Sequence, residues 1–144
     1  MLFKKDPSGK AAKIIDRLEI AIGKLLIAKR TLERLRTERK DRILIMTAFA
    51  GIPISSRGMA IMYIDSALKD LKKTKKDLKY LNDWLRKHRI SKYYSAIKNV
   101  LEGMMYKIDD VLENPDDDID VLIKKFTDIK TGAQELYDLL NKRI

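Results

Sequence analysis

Apolar positions recur along this chain in alternating steps of three and four over two long stretches. The first line is Ala11, Ile14, Leu18, Ala21, Leu25, Ala28, Leu32 and Leu35. The second is Ile64, Ala67, Leu71, Thr74, Leu78, Leu81, Leu85 and His88. Such alternation is a heptad seam, and each seam predicts a long helix. Between them lies Ala48-Phe49-Ala50-Gly51-Ile52-Pro53-Ile54-Ser55-Ser56, where Gly51 permits a positive φ and Pro53 blocks helix continuation. The pattern predicts one helix running to about Met46, a second from about Gly58 to about His88, and an antiparallel hairpin of the two over residues 11–90. Ahead of it, Asp6-Pro7-Ser8-Gly9 reads as a turn in which Ser8 or Asp6 caps the first helix.

The rear, residues 91–144, reads as shorter helices. Residues 92–112 carry Tyr93, Tyr94, Ile97, Val100, Leu101, Met104, Met105, Ile108, Val111 and Leu112 on a face wide enough for burial on two sides. A short helix over 119–130 follows, then a break at Thr131-Gly132, then a last helix from Ala133. Trp84 reads as a packing anchor, and His88, at the end of the seam, as a neutral or cap-bound core histidine. The expected fold is all-α: a single domain built on a long antiparallel basic helical hairpin, with about three shorter helices packed on it.

Charge changes the picture. The net charge is +10, and charged residues make up 36% of the chain. Residues 1–90 hold 23 Lys and Arg against 10 Asp and Glu, while residues 91–144 hold 8 against 11. A basic front half calls for an anionic partner: a membrane surface, nucleic acid, or the chain's own acidic rear. The candidate membrane-binding residues are Met1, Leu2, Phe3, Lys4 and Lys5, in a membrane-proximal segment over residues 1–10, with Lys13, Arg17 and Lys24 on the first helix and Lys72, Lys73 and Lys76 on the second. Phe49, Ile52 and Ile54 at the joint, with Met104 and Met105 behind, are too apolar for free surface and are candidate self-assembly contacts.

The chemistry of an enzyme is missing from the pattern. There is no cysteine and one histidine, and neither a phosphate loop, a dinucleotide fingerprint nor a metal-ligand spacing is visible. Asp116-Asp117-Asp118 lacks the alternating ligands, the glycine and the closing glutamate of an EF-hand, and suits a helix N-terminus instead. No apolar run approaches the roughly 20 residues of a membrane span, and Met1-Leu2-Phe3 is too short for a signal peptide. The expectation is a non-enzymatic, cofactor-free cytoplasmic protein, peripheral on the inner face of the membrane.

From Leu32-Glu33 to about Ile90 the layout resembles the archaeal ESCRT-III proteins of cell division and membrane scission. The residues that carry this are the basic, Arg-rich end of the first helix, then Met59-Ala60-Ile61-Met62-Tyr63-Ile64 and Ala67-Leu68-Lys69-Asp70-Leu71-Lys72-Lys73 opening the second. The resemblance implies a filament of the chain itself or of related paralogues that remodels or constricts anionic membranes. It also implies recruitment of a AAA ATPase by a helical motif of spaced leucines and a basic residue, part of which stands in Leu136-Tyr137-Asp138-Leu139-Leu140-Asn141-Lys142-Arg143. Two alternatives use the same residues: a nucleic-acid-binding helical bundle with the cations on phosphates, and a viral or cellular structural protein with no anionic ligand.

Overall fold

The computed structural model describes residues 7–37, 56–88, 92–116 and 118–142. They form four α-helices: α1 (Pro7–Thr37), α2 (Ser56–Lys87), α3 (Tyr94–Glu113) and α4 (Ile119–Lys142). No strand occurs among the described residues. At 1.5 Å per residue α1 is about 46 Å long.

Three of the helix ends have a visible local reason. Pro7 opens α1 at the first helical position, where its missing N–H costs nothing. Ser8 therefore lies inside the first turn rather than ahead of it as a cap, and Asp6 lies outside the described residues. The Asn114 N–H closes α3 on the Asp110 carbonyl at 3.1 Å, and Pro115 follows. Asp118 caps α4: its carboxylate accepts from the Asp120 N–H at 2.9 Å and its carbonyl from the Leu122 N–H at 3.0 Å.

Both seams are buried over most of their length, with Leu32 and Ile64 half-buried at the arm and Leu35 outside the residues whose burial is described. Ala11, Ile14, Leu18, Ala21, Leu25 and Ala28 of α1 are fully excluded from water, as are Ala67, Leu71, Thr74 and Leu78 of α2, with Leu81 and Leu85 nearly so. Thr74 is tolerated there because its hydroxyl donates to the Asp70 carbonyl at 3.0 Å. His88 departs from the seam: it is exposed, stacked on Trp84 with ring centroids 4.5 Å apart, its Nδ1 2.8 Å from the Trp84 carbonyl. The helix ends at Lys87, so position 88 has left the helical register and serves the C-terminal carbonyls.

Cross-helix ion pairs fix the directions. Arg17 faces Asp77 and Lys24 faces Asp70; Lys29 faces Asp120 and Glu19 faces Lys130; Lys75 faces Asp109; Asp110 faces Lys125. Met104 against Gly132 adds a second point to Asp110–Lys125, and Lys79 and Asp83 beside Leu101 and Met105 add one to Lys75–Asp109. In each touching pair one number rises as the other falls, so the helices are antiparallel. α1 touches α2 and α4, α3 touches α2 and α4, and among the described residues the diagonal pairs do not meet. The result is a closed ring of four alternating helices around one core. Its largest fully buried side chain is Phe126, and Met104, Ile108, Leu122, Ile129 and Leu136 share that core.

The expected break at Thr131-Gly132 is absent, and α4 runs through it as one helix. Gly132 instead allows a close approach: a Cβ there would stand 2.8 Å from Cγ of Met104 on α3. Thr131 turns its hydroxyl back to the Thr127 carbonyl at 3.1 Å, which leaves the helix intact. Over residues 92–142 two helices therefore stand where three were expected. Lys29 meets Asp120 in the first turn of α4, and Lys75 meets Asp109 near the end of α3. The last turns of α1 and the first turns of α2 therefore run past the ends of α3 and α4 as a two-helix arm.

These contacts set opposite outcomes for two helical glycines. Gly132→Val should lower stability by about 1–3 kcal/mol through overpacking against Met104. Gly103→Ala, at a position with nothing within 4 Å, should raise it by up to about 1 kcal/mol. Urea unfolding followed by circular dichroism checks both.

Candidate functional site

The basic residues of the front half divide into two groups by what lies beside them. In α1, Lys10, Arg17 and Lys24 each stand one position before a seam residue, and in α2 Asp70 and Asp77 do the same. These flanking positions meet across the groove. Asp77 accepts from Arg17 at 2.8 Å and faces Lys10 at 3.4 Å, and Asp70 accepts from Lys24 at 2.7 Å. Asp70 is 9% exposed, so its charge depends on that lysine. Arg17 also reaches the Thr74 hydroxyl at 3.4 Å.

The sequence pattern puts Arg17 and Lys24 on an outer, ligand-facing side of the first helix, but the structure pairs them with Asp77 and Asp70 of α2 instead. Both turn into the α1–α2 groove because acids of matching heptad spacing wait there. Lys13 alone of the three α1 candidates is exposed with no ionic partner among the described residues. Lys29 reaches across to Asp120 at 2.7 Å. A hydrogen bond and the negative charge of Asp120 hold its pKa above the ordinary lysine value. While Asp120 is ionised, that pair contributes stability that is present below the lysine range and lost as pH rises through the raised folded value.

The cations of α2 are mostly different. Lys69, Lys72, Lys73, Lys76 and Lys79 are exposed, and among the described residues none has an acid within ion-pair distance. Lys69, Lys72, Lys76 and Lys79 follow one another in steps of three, four and three, which is a single stripe along the helix. Lys75 is the exception, since it pairs with Asp109 of α3. Met62, 68% exposed, lies one heptad before Lys69 and two before Lys76, so an apolar side chain continues the same line into the arm. Met59 and Ile61, 42% and 51% exposed, lie beside it.

Among the candidate assembly residues, Met104 is 2% exposed and belongs to the core under Gly132, not to a surface. The broad face of α3 is wide because α2 and α4 both pack on it, the burial on two sides that its width predicts. Met105 is half-buried and lines a half-open groove of about 360 Å³ between α2 and α3 with Lys79, Asn82, Asp83, Leu101 and Glu102. Met1, Leu2, Phe3, Lys4, Lys5, Phe49, Ile52 and Ile54 lie outside the described residues.

Among the described residues no group of three or more His, Cys, Asp or Glu is placed to hold a metal ion. No described helix is long and apolar enough to cross a membrane. No protein-family model, curated protein or solved structure matches the chain.

The division of the cations is testable by stability. Lys24→Ala leaves Asp70 nearly buried without its partner and should cost about 1–3 kcal/mol. Lys13→Ala, on the free surface, should stay within about 0.5 kcal/mol of wild type. Urea unfolding of the two variants decides whether Lys24 belongs to the groove.

Proposed function

We propose that the chain is a peripheral membrane protein that assembles into filaments and remodels or constricts anionic membranes, in the manner of the ESCRT-III-like proteins it resembles. In this reading α1 and α2 form the basic hairpin core, α2 lays its lysine stripe on lipid headgroups, and α3 and α4 fold back on the hairpin in a resting form. The arm formed by the ends of α1 and α2, with Phe49, Ile52 and Ile54 between them in sequence, contacts neighbouring copies. Paralogues and a AAA ATPase are further partners that the resemblance brings with it.

The observation that carries the reading is the stripe Met62, Lys69, Lys72, Lys76 and Lys79. Lysines without acid partners favour any polyanion, but an exposed methionine in line with them favours a surface with an apolar layer beneath its charges. Nucleic acid offers the phosphates without that layer.

Lys72→Glu, Lys73→Glu and Lys76→Glu together should abolish co-sedimentation with anionic vesicles and leave the helical circular dichroism intact. Lys75 is left out because it holds α3. Wild-type binding should weaken as salt rises, since the Debye length is about 8 Å at physiological ionic strength. Met62→Asp should weaken vesicle binding while leaving any retention of DNA in a gel unchanged. Vesicle binding that ignores both the charge reversal and Met62→Asp would overturn the reading, and DNA binding without vesicle binding would transfer the stripe to nucleic acid.

A further inference from the structure

The outward side of α1 carries a pattern that nothing inside the bundle uses. Gly23 sits in the middle of the helix, and a Cβ built on it would meet no atom within 4 Å. A glycine there costs about 1 kcal/mol against alanine, and among the described residues no close approach requires it. Ile20 and Leu26 stand three residues to either side, 59% and 43% exposed, with Ile27 beside them at 43%. Asp16 and Arg30 stand seven residues to either side. Both are exposed, and among the described residues neither has an ionic partner. About Gly23 the face is therefore symmetric in shape and opposite in charge. Gly103, the other open glycine, has Asn99 and Lys107 around it and no such complement.

We infer that this face of α1 pairs with the same face of a second copy, antiparallel, with a two-fold axis passing at Gly23. A two-fold contact sets each residue against its mirror about the axis. Asp16 then meets Arg30 of the other copy, Ile20 meets Leu26, and the two helices approach closest where the glycines face each other. Each ionic and each apolar pair occurs twice. Glu19 falls opposite Ile27 in this register, but Lys130 of α4, 3.9 Å away, draws it to the side. The apolar centre is desolvated by its own copy, and the charges fix the antiparallel register and reject the parallel one, in which Asp16 would face Asp16.

This contact deepens the self-assembly part of the reading above and does not depend on its membrane part, so it is measured without lipid. Sedimentation equilibrium of the full chain should show a concentration-dependent monomer–dimer balance. Asp16→Arg alone and Arg30→Asp alone should each weaken it by roughly tenfold or more, because each turns two attractions into two repulsions. The double variant carrying both changes should recover it, and so should an equimolar mixture of the two single variants, whose introduced charges complement each other. Gly23→Leu should block pairing while circular dichroism and urea unfolding show the bundle intact, since the space around it is open. A wild-type chain that stays monomeric at every concentration overturns the inference, as does association indifferent to the charge swaps. Vesicle binding by a strictly monomeric chain would sink this contact alone, and a charge-dependent dimer that ignores vesicles would sink the membrane reading alone.

Discussion

α1 buries one side of itself without interruption from Ala11 to Ala28, and a single neighbouring helix cannot cover it. α2 takes one flank and α4 the other. Three of the six fully buried positions are alanines, so both neighbours come close. α3 never touches α1 among the described residues; it is placed by α2 and α4 and closes the ring. Burying the α1 seam therefore dictates that the rear of the chain folds onto the front. Each buried Leu or Ile contributes about 1.5–3 kcal/mol against exposure, far more than any ion pair on this surface.

The same packing decides which charges remain. Drawing α1 and α2 together sets Lys10, Arg17 and Lys24 against Asp70 and Asp77, and drawing α3 and α4 onto them sets Lys29 and Lys75 against Asp120 and Asp109. Positive charge is thus paired at these contacts. It is left in a continuous row on the outward side of α2, with Lys79 at the edge of the α2–α3 groove. That location, more than the net charge, is what the proposed contact with an anionic surface rests on.

The seams were legible because burial along a straight helix follows the heptad, and all six α1 positions from Ala11 to Ala28 and the line from Ala67 to Leu85 on α2 lie in the core. The number of helices was less legible. Thr131-Gly132 carries the composition of a break, and only Met104 lying against it shows the glycine to be a packing device. Arg17 and Lys24 were misplaced because a count of cations around a helix does not say which flank an acid covers. The signal was present in Asp70 and Asp77, which hold the same heptad position relative to their seam as Arg17 and Lys24 do to theirs. Met104 and Met105 could not be separated from sequence, since both sit on one wide apolar face and only the closure of α4 over it buries the first. The pattern about Gly23 is visible in the sequence, but it acquires meaning only once Ile20 and Leu26 prove to point away from the core.

The outer line of α2 is the proposed lipid-facing surface, and its contact with a bilayer can be measured directly. The chain has no cysteine, so Met62→Cys can carry one environment-sensitive fluorophore, with Lys13→Cys and Gly103→Cys as comparison sites. On anionic vesicles containing brominated lipid, the probe at position 62 should be quenched strongly and the probes at 13 and 103 weakly. Equal quenching at the three sites, or none at 62 while the protein sediments with the vesicles, would contradict the account.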